Sequence, residues 1–365
     1  MSLTSGIHTE DLDPEIRPQD DLYRHVNGKW IARTEIPSDK ARYGSFLVLA
    51  EESEKAVRDI IMESQSAAPG TEARKVGDLY ASFMDEARAQ ALGAEPIKEL
   101  IAQAESVNSI ESLLTTLGKL ERGGSSGFFQ LFVDNDPGDP ERYLVFVEQA
   151  GIGLPDESYF REEKFAEIRA KYAAFLETML SLAGLDDAAA RAARVVALET
   201  EIASHHWDNV KSRDSEATYN PMLWSAANDL VGAVDMDIWL KALGVPEHSF
   251  DEVVVRQPSF LSGLESVLRA DNLPAWRDWL AWQVIRSNAP YLSKEFVEAN
   301  FDFYGRTLTG TPELRARWKR GVSLVEGALG EAVGKIYVER HFPAAAKVAT
   351  DELVANLVEA YRRSI

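Results

Sequence analysis

Six histidines are the residues of this chain best suited to acid–base or metal chemistry, and their neighbours limit what they can do. A zinc hydrolase of the His-Glu-x-x-His type needs two imidazoles one helical turn apart, with a glutamate between them to activate water. None of the six is followed by Glu: the next residues are Thr9, Val26, His206, Trp207, Ser249 and Phe342. Glu201 and His205, with His206 and Asp208 close by, stand four apart on a predicted helix, so a carboxylate and an imidazole could face one metal. The apolar stripe Val195, Leu198, Ile202 runs on through His205, which predicts a half-buried, hydrogen-bonded histidine instead. The basic group Arg315, Arg317, Lys319 and Arg320 could hold an anion, but in an acidic chain it is expected to pair with carboxylates. Gly123-Gly124-Ser125-Ser126-Gly127 lacks the Gly-Lys-Ser/Thr ending of a phosphate loop, and no serine is expected at a nucleophile turn.

The elements that must position these residues are mostly helices. Phe46, Leu49, Ala50, Ser53, Val57, Ile60 and Ile61 make one stripe, with Glu51, Glu52, Glu54, Lys55 and Arg58 largely away from it. Ala68-Pro69-Gly70 breaks that helix, and another begins after Thr71. Asn108 and Glu111 resemble a capping box before Leu113, Leu114, Leu117 and Leu120. Phe165, Ile168, Tyr172, Phe175 and Met179 form a long stripe closed by Gly184, and a further helix is expected to run to about Trp207. Between these lie two β-prone runs, Phe128 to Val133 and Tyr143 to Val147, separated by a Pro/Gly/Asp cluster, which predict a β-hairpin. Trp276, Trp279 and Trp282 are expected in the core, with a peptide-binding aromatic platform as the other reading.

The 365 residues suffice for two or more domains, and 45% hydrophobic residues supply an ordinary globular core. Lys and Arg number 39 against 59 acidic residues, a formal charge of -20 that repels phosphate backbones, so no nucleic-acid partner is expected. With no cysteine, disulfides, thiolate metal sites and cysteine nucleophiles are excluded. The polar start Ser5-Gly6-Ile7-His8-Thr9-Glu10-Asp11 has no signal-peptide character, Met1-Ser2-Leu3 could be a vector scar, and no run predicts a membrane span. A cytoplasmic protein with no membrane partner is therefore expected, with non-classical export as the other reading.

Several motifs occur in a telling order. Pro18-Gln19-Asp20-Asp21-Leu22-Tyr23-Arg24-His25-Val26-Asn27-Gly28-Lys29-Trp30 is followed by Arg42-Tyr43-Gly44-Ser45-Phe46. Gly151-Ile152-Gly153-Leu154-Pro155-Asp156-Glu157-Ser158-Tyr159-Phe160 and Arg213-Asp214 with Tyr219-Asn220 come next. Phe303-Tyr304-Gly305-Arg306-Thr307-Leu308-Thr309-Gly310, Arg317-Trp318-Lys319-Arg320 and Gly334-Lys335-Ile336-Tyr337-Val338-Glu339-Arg340-His341-Phe342-Pro343 complete the set. In this order the chain resembles the N-terminal portion of the neprilysin-like zinc endopeptidases, the M13 family, and in particular its soluble mycobacterial-type members.

The resemblance implies a mainly α, multi-helix lobe with a small β-hairpin near 128–147, the non-catalytic lobe of a two-lobed metallopeptidase. It implies residues 1–40 as an opening segment packing towards a catalytic domain, 41–290 as a helical cap, and 291–365 as the connection to that domain. Its partners are then peptide substrates and the C-terminal catalytic domain. Zinc belongs to the full-length parent; in this chain no catalytic residue, metal ligand or cofactor is expected, and the chain alone is predicted inactive. The family's arginine for a peptide's C-terminal carboxylate falls on Arg42, although two neighbouring polar positions of that pattern are Leu47 and Ala50 here. The last helix, carrying Leu353, Leu357, Val358 and Tyr361, has no stop signal and looks cut. The alternative is a stand-alone, non-catalytic helical module that binds peptides or other partners.

Overall fold

Helical periodicity is realised along most of the chain in the computed structural model, which describes residues 8–364. Met1–Ile7, including the Met1-Ser2-Leu3 start, and Ile365 lie outside the described residues. In chain order come α1 (Leu22–Arg33), α2 (Ser45–Ser64), α3 (Glu72–Met84), α4 (Glu86–Leu92), α5 (Lys98–Glu105) and α6 (Ile110–Arg122). The strands β1 (Phe129–Asp136) and β2 (Asp139–Gln149) follow, then α7 (Ser158–Arg161), α8 (Ala166–Leu182), α9 (Ala188–Ala203), β3 (Pro221–Leu223), α10 (Trp224–Asp229), α11 (Asp237–Leu243) and β4 (Glu252–Val255). The chain continues through α12 (Pro258–Val267), α13 (Leu273–Asn288), α14 (Lys294–Phe301), a π-helical turn (Asp302–Thr307), α15 (Arg317–His341) and α16 (Ala344–Ser364). It is a mainly helical fold, divided into two compact units: residues up to Met84 with those from Thr309 on, and Asp85–Leu308.

The first unit has a small core in which Val57 and Ile61 of α2 meet Val76 and Tyr80 of α3 and Val322, Val325 and Val333 of α15. Only the C-terminal half of the α2 stripe serves this core. Phe46 and Leu49 are 89% and 59% exposed. Glu54, placed by its spacing away from the stripe, is buried because Arg315 pairs with it. α16 forms as its periodicity predicts, yet Leu353, Leu357, Val358 and Tyr361 are all exposed.

The second unit holds the large core, and Trp276, Trp279 and Trp282 of α13 are buried in it. They pack edge-on against rings such as Phe128 and Phe175, so they offer no platform to a peptide. The predicted hairpin is present as β1 and β2, but most of its Asp/Pro/Gly cluster is strand and only Pro137-Gly138 turns. Arg142 explains this: it binds buried Asp136 and reaches Glu252, tying the hairpin end to β4. β2 pairs in parallel with β4, and β4 antiparallel with β3, giving the order β1-β2-β4-β3. The two short strands were not visible in the periodicity. Ser109 and Ser112, rather than Asn108 and Glu111, form the capping box of α6. α9 ends at Ala203, short of Trp207.

The segment Ala150–Gly153 explains how the second unit is held together. It leaves the sheet and enters the helical core, where its backbone groups need partners. His206 Nε2 donates to Ala150 O at 2.9 Å, and Trp279 Nε1 to Gly151 O at 3.1 Å. Arg286 donates to Ile152 O at 3.3 Å, and Tyr304 Oη to Gly153 O at 3.0 Å. Glu199 accepts the Gly153 N–H at 3.0 Å and the Tyr172 hydroxyl at 2.9 Å. A β-carbon on Gly153 would lie 1.8 Å from Tyr172 Oη. Burial pushes Glu199 up to about 7, against the opposing pull of the Gly153 N–H and Arg286. Burial also pushes His206 down to about 4, so it donates as a neutral imidazole.

Two outcomes follow. Gly153→Ala should lower stability by about 1–3 kcal/mol in urea unfolding, because Tyr172 cannot retreat without abandoning Glu199. Glu199 binds a proton more tightly in the folded state, so its contribution is full below its unfolded value of 4.5 and fades as pH rises through 7. The stability of the native chain minus that of Glu199→Gln should therefore be larger at pH 5 than at pH 8. A difference that stays flat would show that Glu199 is charged throughout.

Candidate functional site

Arg42 lies on the extended segment that leads into α2, and the physical question is what holds that segment in place. Lys40 Nζ lies 3.4 Å from Glu51 Oε1, and Tyr43 Oη donates to Glu51 Oε2 at 3.3 Å. Glu51 thus grips the chain on both sides of Ala41-Arg42 from the second turn of α2. Lys319 of α15 completes the clasp, 3.4 Å from Glu51 and 3.2 Å from Asp39. Ser38 adds two hydrogen bonds to Glu313, one through its backbone O at 3.0 Å and one through its hydroxyl at 2.7 Å. Burial raises the Glu51 carboxyl, but Lys40 and Lys319 outweigh it and leave the group below the ordinary carboxylate value. Tyr43 is raised by burial and by Glu51.

Arg42 itself is exposed and has no hydrogen bond or ion pair among the described residues. A guanidinium held by a fixed backbone, always charged and carrying a planar fork of donors, is suited to a carboxylate ligand. Leu47 is half-buried and Ala50 exposed, so neither supplies a polar neighbour. Sequence spacing had treated Glu51 as one more solvated acid of α2. Its role depends on Lys40, Tyr43 and Lys319 meeting in space, for which the sequence carries no periodic signal.

The other candidates are spent on structure. Glu201 binds Arg269 at 2.5 and 3.3 Å and Asn272 at 3.1 Å, while His205 Nε2 lies 3.1 Å from Ser266 Oγ. His206 serves Ala150, and Asp208 accepts the N–H groups of Val210 and Lys211. Among the described residues no group of three or more His, Asp or Glu could hold a metal ion, so the donors present do not fit a zinc ion. Arg315 pairs with Glu54, Arg317 donates to Phe83 O at 3.1 Å, Lys319 joins the Glu51 clasp, and Arg320 donates to Arg315 O at 3.2 Å. Arg315 and Lys319 pair with carboxylates as the acidic context predicted, whereas Arg317 and Arg320 donate to backbone carbonyls.

Gly123–Gly127 needs a correction. It does carry the Gly-x-Ser-x-Gly spacing of a hydrolase elbow. Here, however, it runs from α6 into β1, helix to strand, the reverse of that elbow. Gly124 at φ 95° and the Ser125 N–H to Leu120 O bond at 3.0 Å make it a helix cap. No described helix is long and apolar enough to cross a membrane.

With that geometry in view, comparison with known proteins places the chain. The sequence model of peptidase family M13, in its N-terminal portion, matches residues 18–365, and the chain belongs to this family. Over 99% of its length it superposes on the zinc metalloprotease Zmp1 of Mycobacterium tuberculosis in complex with an inhibitor, with TM-score 0.91, 45% identity and coverage of 55% of that chain. PepO from Lactobacillus rhamnosis matches 95% of the chain at 25% identity and TM-score 0.82, again covering 55% of that chain. Endothelin-converting enzyme 1 of Bos taurus is 24% identical across 100% of this chain and 50% of its own length. The chain thus spans about half the length of such relatives.

The clasp generates a prediction. Glu51→Gln leaves Lys40 and Lys319 without their shared carboxylate and should cost about 1 kcal/mol in chemical unfolding, screening included. The Tyr43 phenol should then titrate at lower pH, read as the ultraviolet difference from a Tyr43→Phe reference. An unchanged phenol would mean that Glu51 does not reach it in solution.

Proposed function

We propose that this chain is the N-terminal portion of a zinc-dependent endopeptidase that cleaves peptides or small proteins, its helices limiting access to the cleft. The observation that carries the reading is the near-complete superposition on a zinc metalloprotease of which this chain covers little more than half. Residues 1–40 and 291–365 lead towards the catalytic domain in this reading, and 41–290 form the cap. The exposed apolar row of α16 supports it, since Leu353, Leu357, Val358 and Tyr361 form an apolar surface of the kind a partner domain covers. Zinc and the groups that activate water belong, in this reading, to the catalytic domain; among the described residues no three His, Asp or Glu side chains converge on a metal.

The part of the chemistry assigned to this chain is recognition. Arg42 grips the C-terminal carboxylate of a peptide bidentately through its planar fork of donors. The clasp around Glu51 fixes the backbone on either side, so little order must be gained on binding.

In the full-length protein, Arg42→Ala should raise KM about tenfold or more for peptides ending in a free carboxylate, the loss of one charge-assisted pair, and leave kcat nearly unchanged. C-terminally amidated versions of the same peptides should be unaffected. Equal losses on both would remove Arg42 from the carboxylate role. The 365-residue chain alone should show no chelator-sensitive peptidase activity, and measurable activity would overturn that part of the proposal.

A further inference from the structure

Strand β1 is an edge of the four-stranded sheet, and its outer side lacks most of the protection that such edges carry. Two hydrogen bonds fix which backbone groups face outward. Ala150 N donates to Phe128 O, and Arg256 N takes Val147 O, the residue opposite Leu131, towards β4. By the alternation of an antiparallel pair, Gln130, Phe132 and Asp134 bond to β2, while Leu131 and Val133 point their N–H and C=O groups away from it. Leu131 and Val133 have no other hydrogen-bond partner among the described residues. The ladder closes only at Asn135, whose N–H turns back to Asp134 Oδ1 at 2.8 Å, next to the irregular pairing at Asp136. Natural edges are normally blunted by lysine, proline, bulges or a covering element. Between Phe129 and Val133 there is none of the first three, and Val133 is 66% exposed.

The chemistry around this edge selects its occupant. Asp134, Asp139 and Glu141 at the hairpin end are exposed and have no basic partner among the described residues, because Arg142 is taken by Asp136 and Glu252. On the face that carries Asp134, the half-buried ring of Phe132 stacks at 5.0 Å on buried Phe146 and offers an apolar contact. A second copy of the chain would bring the same acidic hairpin end and another formal charge of -20, and like charges oppose that pairing. We infer that the outer edge of β1 binds an extended, basic peptide segment by strand addition, with an apolar side chain beside Phe132 and a lysine or arginine beside Asp134. This lies in the Asp85–Leu308 unit and does not depend on the role proposed for Arg42 or on peptidase activity.

The test uses the 365-residue chain and a fluorescein-labelled Lys-Thr-Val-Thr-Lys-Thr peptide, which carries valine and lysine on one face two residues apart as Phe132 and Asp134 require, read by fluorescence anisotropy. Saturable binding is expected, weakened at least about tenfold when alternate peptide amides are N-methylated, the equivalent of one lost net hydrogen bond. Val133→Pro removes an outward N–H without touching the β1–β2 ladder and should weaken binding to a similar extent, its fold checked by circular dichroism. The counterpart with glutamate at both lysine positions should bind at least about tenfold more weakly, as loss of the charge match requires. Absence of saturable binding overturns the inference. So does binding that survives N-methylation, which would be adhesion to charge alone. A dimer seen by sedimentation that Val133→Pro dissolves, with no peptide binding, would make a second copy the occupant instead and likewise overturn it.

Discussion

The second unit depends on one constraint: the backbone of Ala150–Gly153 enters the core and must find a partner for each buried polar group. Four consecutive carbonyls are taken by four side chains, His206, Trp279, Arg286 and Tyr304, which come from three separate parts of the sequence. An unpaired buried carbonyl costs as much as a lost hydrogen bond, so this convergence ties α13 and the π-helical turn to the end of β2. The Gly-Ile-Gly-Leu-Pro-Asp run is then a structural joint. Its second glycine is required because Tyr172 and Glu199 occupy the space that a side chain would need.

Electrostatics follow a similar division of labour. The excess of acidic residues lies mainly at the surface, while the buried carboxylates are paired or, like Glu199, hydrogen-bonded. Asp278 accepts from Arg191 at 2.6 Å and Arg194 at 2.5 Å, and Asp136 and Glu252 share Arg142. The same accounting consumes Arg315 and Lys319. Arg42 stands apart because its neighbours Lys40 and Tyr43 spend their side chains on Glu51, which leaves its guanidinium facing solvent.

Exposed apolar residues carry further information. Phe46 and Leu49 continue the stripe of α2 beyond its core, and α16 exposes a complete apolar row. Both were legible as helices because their spacing repeats every 3–4 residues. Whether a stripe is buried is not a property of the stripe, since it depends on what packs against it. The same applies to Glu54, polar by type and buried by Arg315. The short strands β3 and β4 were missed because three or four residues are too few to establish a period, and β4 is joined to β2 by Arg142 and Glu252 across more than a hundred residues.

Much of the candidate site was hidden for a related reason. The order of motifs was enough to assign the family and to single out Arg42 as a candidate, because motif order survives in the linear chain. The metal alternative at Glu201 and His205 stood open in the sequence, since i, i+4 spacing places two side chains on one face without saying what they meet. Tertiary packing supplies what those two groups meet, Arg269 and Asn272 for Glu201 and Ser266 for His205. By itself, then, the sequence determined the helices, the hairpin, the tryptophan core and the family, all of which depend on local period or residue type. Only the tertiary structure decided the Glu51 clasp, the satisfied turn at Ala150–Gly153 and the open edge of β1. Each of these is a meeting of groups far apart in the chain, and distance in space leaves no mark on local spacing.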